Sequence, residues 1–285
     1  MAMEDDNGQP APDISLLGFF GSRVLKLRTE RKWSQAELAH KARTTGAMIS
    51  YVENAKRVPS ADLARDLDKA LGVDFFEEFY PLVVRYAYPS WFLPFIELET
   101  EANQHRVFES QIIPGLLQTE AYARAMLTAV RPDNLDDLVA ARMTRQALFE
   151  RNQPPHTWFV VDEQALHRNI GGPNVMRVQL ERLLTAGQHP RCVVQVVPEE
   201  VTAHPGLAGP FTLLSFDQDG QDLKTGEHRP PHDVLYVDGF SQGRTALDTT
   251  EVTAATHAYD LLKSYALSPE ASAGRIGDYL EGLKK

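Results

Sequence analysis

Three hydroxyl residues, Ser34, Thr45 and Ser60, each stand just before a short amphipathic run. Such a side chain accepts a hydrogen bond from a free N–H of the first helical turn, so it marks where a helix starts. Ser34 has Glu37 three positions on, the pattern of a reciprocal capping box. Before it, Phe20, Val24 and Leu27 recur at i, i+4 and i+7, one face of a helix, and Trp33 closes that helix's end. Leu38, Ala39 and Ala42 give a second helix its buried face, and Thr44, Thr45 and Gly46 break the chain. A third helix, capped by Thr45, turns Ile49 and Val52 inward and is stopped by Pro59. Ser60 caps a fourth, with Leu63, Leu67, Ala70 and Leu71 inside.

Two helices joined by a turn of a few residues and braced by flanking helices make a helix-turn-helix. The third helix keeps its outer face small and polar, with Gly46, Ala47, Ser50, Tyr51 and Asn54. A face of that size enters a DNA major groove about 12 Å wide without steric conflict. Lys56 and Arg57 follow, where they can hold phosphates. The competing expectation is a structural four-helix bundle whose third helix is merely solvated.

The stretch resembles the lambda-repressor-like XRE family of DNA-binding domains along its whole length. The matching residues are Arg28 at the end of helix one, Ser34-Gln35-x-x-Leu38-Ala39 opening helix two, Ile49-Ser50-x-Val52-Glu53 in helix three, and Pro59-Ser60 before helix four. The resemblance implies that Gln35 contacts a backbone phosphate, that Arg28 pairs with Glu53, and that Gly46, Ala47, Ser50 and Tyr51 meet base edges. This sequence departs from the family at three positions. Gly46 stands where Gln is frequent, Ala55 where a C-cap Gly is usual, and Arg43 where the turn usually has Gly. Arg43 is therefore added to the expected DNA contacts, with Thr45 and Asn54 beside it.

Net charge is −10, which looks wrong for a chain that meets phosphate. The distribution resolves this. Residues 15–73 hold 11 Lys+Arg against 6 Asp+Glu, a net of +5, which leaves 18 against 33, a net of −15, for the rest. A basic module on an acidic body confines DNA contact to one domain. The lone cysteine, Cys192, excludes an internal disulfide and a cysteine zinc finger. It precedes an apolar run and is expected to be buried, and the protein is expected to be cytoplasmic. No apolar run nears the ~18 residues of a membrane helix. Residues 1–14 are acidic and rich in Pro and Ala, and are expected to be a disordered leader.

Domain boundaries are expected at 15–83 for the helix-turn-helix, 84–95 for an aromatic hinge packing the domains, and 96–285 for a larger domain. In that last part, strands are expected at 105–113, 157–161, 192–197, 211–216 and 234–238, among helices that include 135–151, 175–188 and 250–266. Residues 217–233 are expected to form a long polar loop. The fold class is α+β, an all-α bundle followed by an α+β domain with a small sheet of about four to six strands. This second part resembles the C-terminal domain of actinobacterial, antitoxin-like transcriptional regulators related to WhiJ. The carrying motifs are Pro114-Gly-Leu-Leu-Gln-Thr-Glu-Ala-Tyr-Ala-Arg124, His204-Pro-Gly-Leu-Ala-Gly-Pro-Phe-Thr-Leu-Leu214 and Ala266-Leu-Ser-Pro-Glu270. The resemblance implies transcriptional regulation and a small partner protein encoded by an adjacent gene, with no known catalytic chemistry. In the first motif, Leu116, Leu117 and Tyr122 beside Gln118 and Arg124 give an apolar centre with polar edges, as interfaces have. Core packing explains the same residues.

Catalysis has one hint. Gly239-Phe-Ser241-Gln-Gly243 fits the nucleophile-elbow pattern after a strand, with Asp248 or Asp260 and then His257 in triad order. Against it, an elbow needs a helix to begin at the serine, and residues 244–249 intervene. A metal is not expected. His228 and His232 share a loop and His204 precedes Pro-Gly, but no carboxylate or cysteine completes a ligand set. Without a phosphate loop or dinucleotide fingerprint, no cofactor is expected. The expected protein is a non-enzymatic regulator that binds double-stranded DNA as a homodimer, its dimer surface in the second domain, and senses a small partner protein there. The alternatives are a small apolar ligand in that domain, or a serine hydrolase fused to a DNA-binding module.

Overall fold

The structure of the chain, a computed structural model, describes residues 15–130, 132–216, 233–239 and 242–283. The chain divides into two compact units. One runs to Ser90 and takes back Leu127–Thr144, and the other holds Trp91–Met126 and the chain from Arg145 onward.

The first unit begins with five helices: α1 (Leu16–Glu30), α2 (Gln35–Lys41), α3 (Gly46–Glu53), α4 (Ala61–Leu71) and α5 (Phe76–Ala87). Ser15, Ser34, Thr45 and Ser60 cap the first four through their hydroxyls. At Ser34 the box is reciprocal, with Glu37 N–H on the Ser34 hydroxyl at 3.2 Å and the Ser34 N–H on Glu37 Oε2 at 2.6 Å. Helix α5 has no cap of its own. The Asp68 carboxylate of α4 accepts instead from Phe75, Phe76 and Glu77 N–H at 3.0, 2.9 and 2.8 Å. Phe20, Val24, Leu38, Ile49, Val52, Leu67 and Phe76 are buried in this unit. Each such side chain contributes about 1.5–3 kcal/mol of transfer free energy.

The second unit opens with α6 (Leu93–Glu101), β1 (Gln104–Glu109) and α7 (Glu120–Thr128). Then α8 (Leu135–Arg145) lies almost wholly in the first unit. There Tyr88 donates to the Ala141 carbonyl at 2.9 Å, and the Val58 N–H donates to Thr144 Oγ1 at 2.8 Å. The helix expected over 135–151 thus stops at Arg145, and a 3-10 turn covers Gln146–Glu150. The chain continues through β2 (His156–Asp162), α9 (Gln164–His167), α10 (Pro173–Ala186), β3 (Cys192–Val197), β4 (Phe211–Ser215), β5 (Val234–Val237), β6 (Arg244–Ala246), α11 (Thr249–Tyr265) and α12 (Pro269–Gly282).

The strands form one mixed sheet in the order β3-β2-β1-β4-β5-β6. Strands β1, β2 and β3 are parallel, with Phe159 opposite Val107 and Val194, while β4, β5 and β6 pair antiparallel. Successive β2 residues serve opposite faces. Phe159 and Val161 pack with Leu180 and Leu183 of α10 and Ile276 of α12, while Val160 packs with Tyr259 and Leu262 of α11. A sheet covered on both sides favours apolar runs in its parallel strands: β2 has Trp158–Val161, and in β3 only Gln195 breaks the run. Cys192 is buried at the start of β3. The α+β class holds, and the sheet has six strands. The strand expected to 113 ends at Glu109, and β6 was not expected. No helix among the described residues is long and apolar enough to cross a membrane.

Candidate nucleic-acid interface

Helix α3 is held from three sides. Ile49 and Val52 are fully buried beneath it. Gly21 of α1 lies so close that a Cβ there would fall 2.2 Å from the Val52 carbonyl oxygen and 3.0 Å from that of Glu53. At its C-terminal end, Glu53 accepts from Arg28 Nε at 2.5 Å and Nη2 at 3.0 Å, and from Gln35 Nε2 at 2.7 Å. Arg28 also donates to the Trp33 carbonyl at 2.7 Å. The hydrogen bonds from Arg28 to Glu53 push the Arg28 pKa up despite partial burial. One carboxylate thereby ties the end of α1, the start of α2 and the end of α3. Its side chain is 3% exposed, so losing Arg28 strands a buried charge.

The opposite face of α3 is open. Thr45, Ala47, Tyr51, Asn54 and Lys56 are exposed, and Gly46, Ser50 and Arg57 are half-buried. The Arg57 guanidinium sits over the Tyr51 ring, 4.5 Å from its centroid, and so orients it. Asn54 turns back, donating to the Ser50 carbonyl at 2.8 Å. The Thr45 hydroxyl accepts the Met48 N–H at 3.2 Å and is occupied as a cap. A Cβ on Gly46 would meet nothing closer than 3.9 Å, so no protein contact requires a glycine there. Arg43 and Ala55 adopt φ of 51° and 53°. The left-handed turns where glycine is usual persist with side chains in place, at about 1–2 kcal/mol each. Arg43 is paired with Asp66 of α4 through Nε at 3.1 Å and through Nη2. Gln35, expected at a phosphate, spends one N–H on Glu53 and keeps the other.

The residues expected to form a partner surface are placed differently. Leu116, Leu117, Gln118 and Tyr122 are at most 3% exposed and belong to the core of the second unit. Gln118 donates to the Ile113 carbonyl at 2.8 Å, and the Ile113 N–H donates to Tyr122 Oη at 3.1 Å. Gln179 closes the arrangement, donating to the Leu117 carbonyl at 2.8 Å and accepting the Thr119 N–H at 2.7 Å. These side chains satisfy a buried loop and present no docking face. Of the five, only Arg124 reaches solvent, 3.8 Å from Glu120.

The elbow pattern spans the connection between β5 and β6, which pair antiparallel, rather than a strand-to-helix turn. Ser241 lies outside the described residues, as do His228 and His232. Asp248 caps α11, accepting from Thr250 and Glu251 N–H at 3.0 and 3.1 Å. His204 is buried against Asp162, Nε2 to Oδ2 at 3.0 Å. No His, Cys, Asp and Glu group among the described residues has the arrangement to hold a metal.

Sequence reasoning missed Gly21 and Asp68. A glycine inside an amphipathic helix and an aspartate on an apolar helix face were the available signals. It also missed Glu163, which accepts from Arg275 Nη1 at 2.7 Å, from the Glu199 N–H at 2.9 Å and from Tyr279 at 2.9 Å. Burial opposes the charged form of Glu163, but these three donors together hold its pKa below the usual value. That network lines a cleft of about 520 Å³ whose apolar side is Leu166, Met176, Leu180 and Leu283.

An eight-residue helix docked on two others, with a small, polar and open outer face, defines a helix-turn-helix of the XRE type. Residues 24–77 match the family described as helix-turn-helix, which makes DNA the expected partner. Residues 92–278 match the family described as a domain of unknown function, DUF5753. The chain belongs to the DUF5753 family. No curated protein and no solved structure matches the chain.

Proposed function

We propose that the protein is a sequence-specific transcriptional regulator in which α3 reads an operator major groove. The open face of α3, set on a fixed base by Gly21 and Glu53, carries this reading. Ser50 and Tyr51 are the base-reading side chains, and Lys56 holds phosphate. Replacing Ser50 and Tyr51 by Ala is expected to cost about 1–3 kcal/mol per lost base contact and to relax specificity. Lys56→Ala is expected to weaken all duplexes alike and to lower the salt slope by about one unit. Lys56 is the clean phosphate probe, because Gln35 and Arg57 also support Glu53 and Tyr51. Fluorescence anisotropy on operator and random duplexes checks this. Equal losses on both for the Ser50 and Tyr51 variants would overturn the readout.

One eight-residue helix reads too few base pairs to find a genomic site, so the regulator acts as a homodimer on a pseudo-palindrome. The sequence suggested a dimer surface in the second domain; the exposed apolar stripe of the helix-turn-helix unit is the surface put forward here. Along α5, Leu82 and Tyr86 are 50% and 42% exposed, in line with Phe79. Phe19 of α1, 47% exposed, joins them with its ring 5.6 Å from Phe79. Leu82→Glu is expected to give a monomer in sedimentation velocity, and an unchanged dimer would reject this surface.

The second domain is read as a sensing module rather than an enzyme. The hairpin setting of the elbow pattern and the capping duty of Asp248 support this. The acidic balance outside residues 15–73 favours a small basic protein as its partner, in keeping with the antitoxin-like resemblance.

A further inference from the structure

A second cleft, about 580 Å³, opens in the α+β unit at the ends of β1, β2 and β4. Its size is that of a metabolite site. Two arginines line it, Arg151 and Arg191. Both are held by backbone carbonyls, not carboxylates. Arg151 Nη1 donates to Thr100 O at 2.6 Å, and Arg191 Nη1 donates to Pro154 O at 3.0 Å. Neither forms an ion pair among the described residues. Each guanidinium has five N–H donors, so each keeps most of them for another acceptor while its position is fixed.

That arrangement is unexpected outside residues 15–73, where acidic residues outnumber basic ones by 15. Several arginines of the same unit do find carboxylates: Arg145 pairs with Glu99, Arg275 with Glu163, and Arg177 with Glu181. Among the described lining residues Glu101 is the one carboxylate, set against two guanidiniums and His156. Partial desolvation lowers the Arg151 pKa although the residue is exposed, and the Glu99 charge acts the other way. The remaining wall is neutral and rich in hydrogen-bonding groups, including Asn103, Gln104, Gln153 and Ser215.

The geometry points to a binding site for a small polar organic anion, its phosphate or carboxylate held between Arg151 and Arg191 and its polar body met by the carboxamides. Planar guanidiniums match the oxygens of either group by paired N–H···O bonds.

Calorimetry on the full chain without DNA tests this, using inorganic phosphate and citrate as separate probes at constant ionic strength set with sodium chloride. Saturable binding of one anion per chain is expected for at least one probe, and which one distinguishes phosphate from carboxylate chemistry. Arg151→Gln and Arg191→Gln should each weaken it at least tenfold, and Arg177→Gln should leave it unchanged. Both arginines also tie down backbone, so Arg151→Lys and Arg191→Lys serve if a Gln variant unfolds. They keep the charge, and are expected to bind the same probe more weakly than the parent. No saturable heat with either probe, or parent-like affinity in the arginine variants, overturns the site. The DNA reading stands or falls separately, because no duplex enters this experiment.

Discussion

Replacing Gly21 by Ala is expected to destabilise the first unit by about 3 kcal/mol and to abolish operator binding with it. The added methyl would lie 2.2 Å from the Val52 carbonyl oxygen and 3.0 Å from that of Glu53. Both obstacles are backbone, so no side-chain rotation relieves them. The only escape is for α1 and α3 to separate. That opens the seam over Ile49 and Val52 and pulls Glu53 away from Arg28 and Gln35. The cost is therefore steric, apolar and electrostatic together, and the same displacement tilts the face that meets DNA. Gly46→Ala is the matched control. Its methyl meets nothing closer than 3.9 Å, and as the first helical residue it should gain up to about 0.5 kcal/mol, less than in a helix interior. If Gly46 is bare in order to admit the DNA, that variant becomes more stable while binding less well. Urea unfolding followed by circular dichroism, with anisotropy on the operator, reads both. A Gly21→Ala protein with the parent's midpoint would reject this account of how α3 is seated.

What was legible in the sequence was what is local. Ser34, Thr45 and Ser60 act on N–H groups three residues away, so their spacing alone placed α2, α3 and α4. Strand β3 was bounded to the residue because a run buried on both faces cannot alternate. The failures concern partners distant in the chain. Gly21 gains its meaning from residues 52 and 53, and a glycine inside an amphipathic helix signals a close approach without naming what approaches. Helix α8 follows an element of the second unit in the chain yet packs with Tyr88 and Val58 in the first. The Pro114–Arg124 motif misled for a related reason. Apolar residues beside Gln118 suggest an interface by composition, but Gln118 and Gln179 are buried because they satisfy carbonyls of a buried loop. Composition does not separate those cases, whereas hydrogen-bond accounting does.

The anion cleft was illegible for the same physical reason. Arg151 and Arg191 look like ordinary surface cations in a sequence with 29 Lys+Arg. Only the fold brings them to one cavity and gives each a carbonyl in place of a carboxylate. For such a site to influence DNA binding, the anion must bind the operator-bound and free proteins with different affinities, and the operator must then alter anion affinity by the same factor.

Asp68→Ala is expected to cost about 2–3 kcal/mol, because a single carboxylate supplies the whole N-terminal cap of α5. Its two oxygens accept three backbone N–H groups, from Phe75, Phe76 and Glu77. Phe76 is fully buried, so its freed N–H finds no water in place of the lost acceptor. Helix α5 offers no local substitute, since Phe75 at its cap position has no side-chain oxygen. Asp68→Asn keeps one acceptor, so it should lose about half as much if its oxygen serves Phe75 and Phe76. Amide hydrogen exchange locates the damage: Phe76 and Glu77 should lose protection before the core of α1 does. The loss also reaches the proposed dimer, because Phe79, Leu82 and Tyr86 lie on this helix and Phe19 packs against it. A frayed α5 cannot present that stripe as one surface, so dimer dissociation should begin at lower denaturant than global unfolding. Stability within about 0.5 kcal/mol of the parent, with protection at Phe76 intact, would show that α5 is held by its apolar face alone.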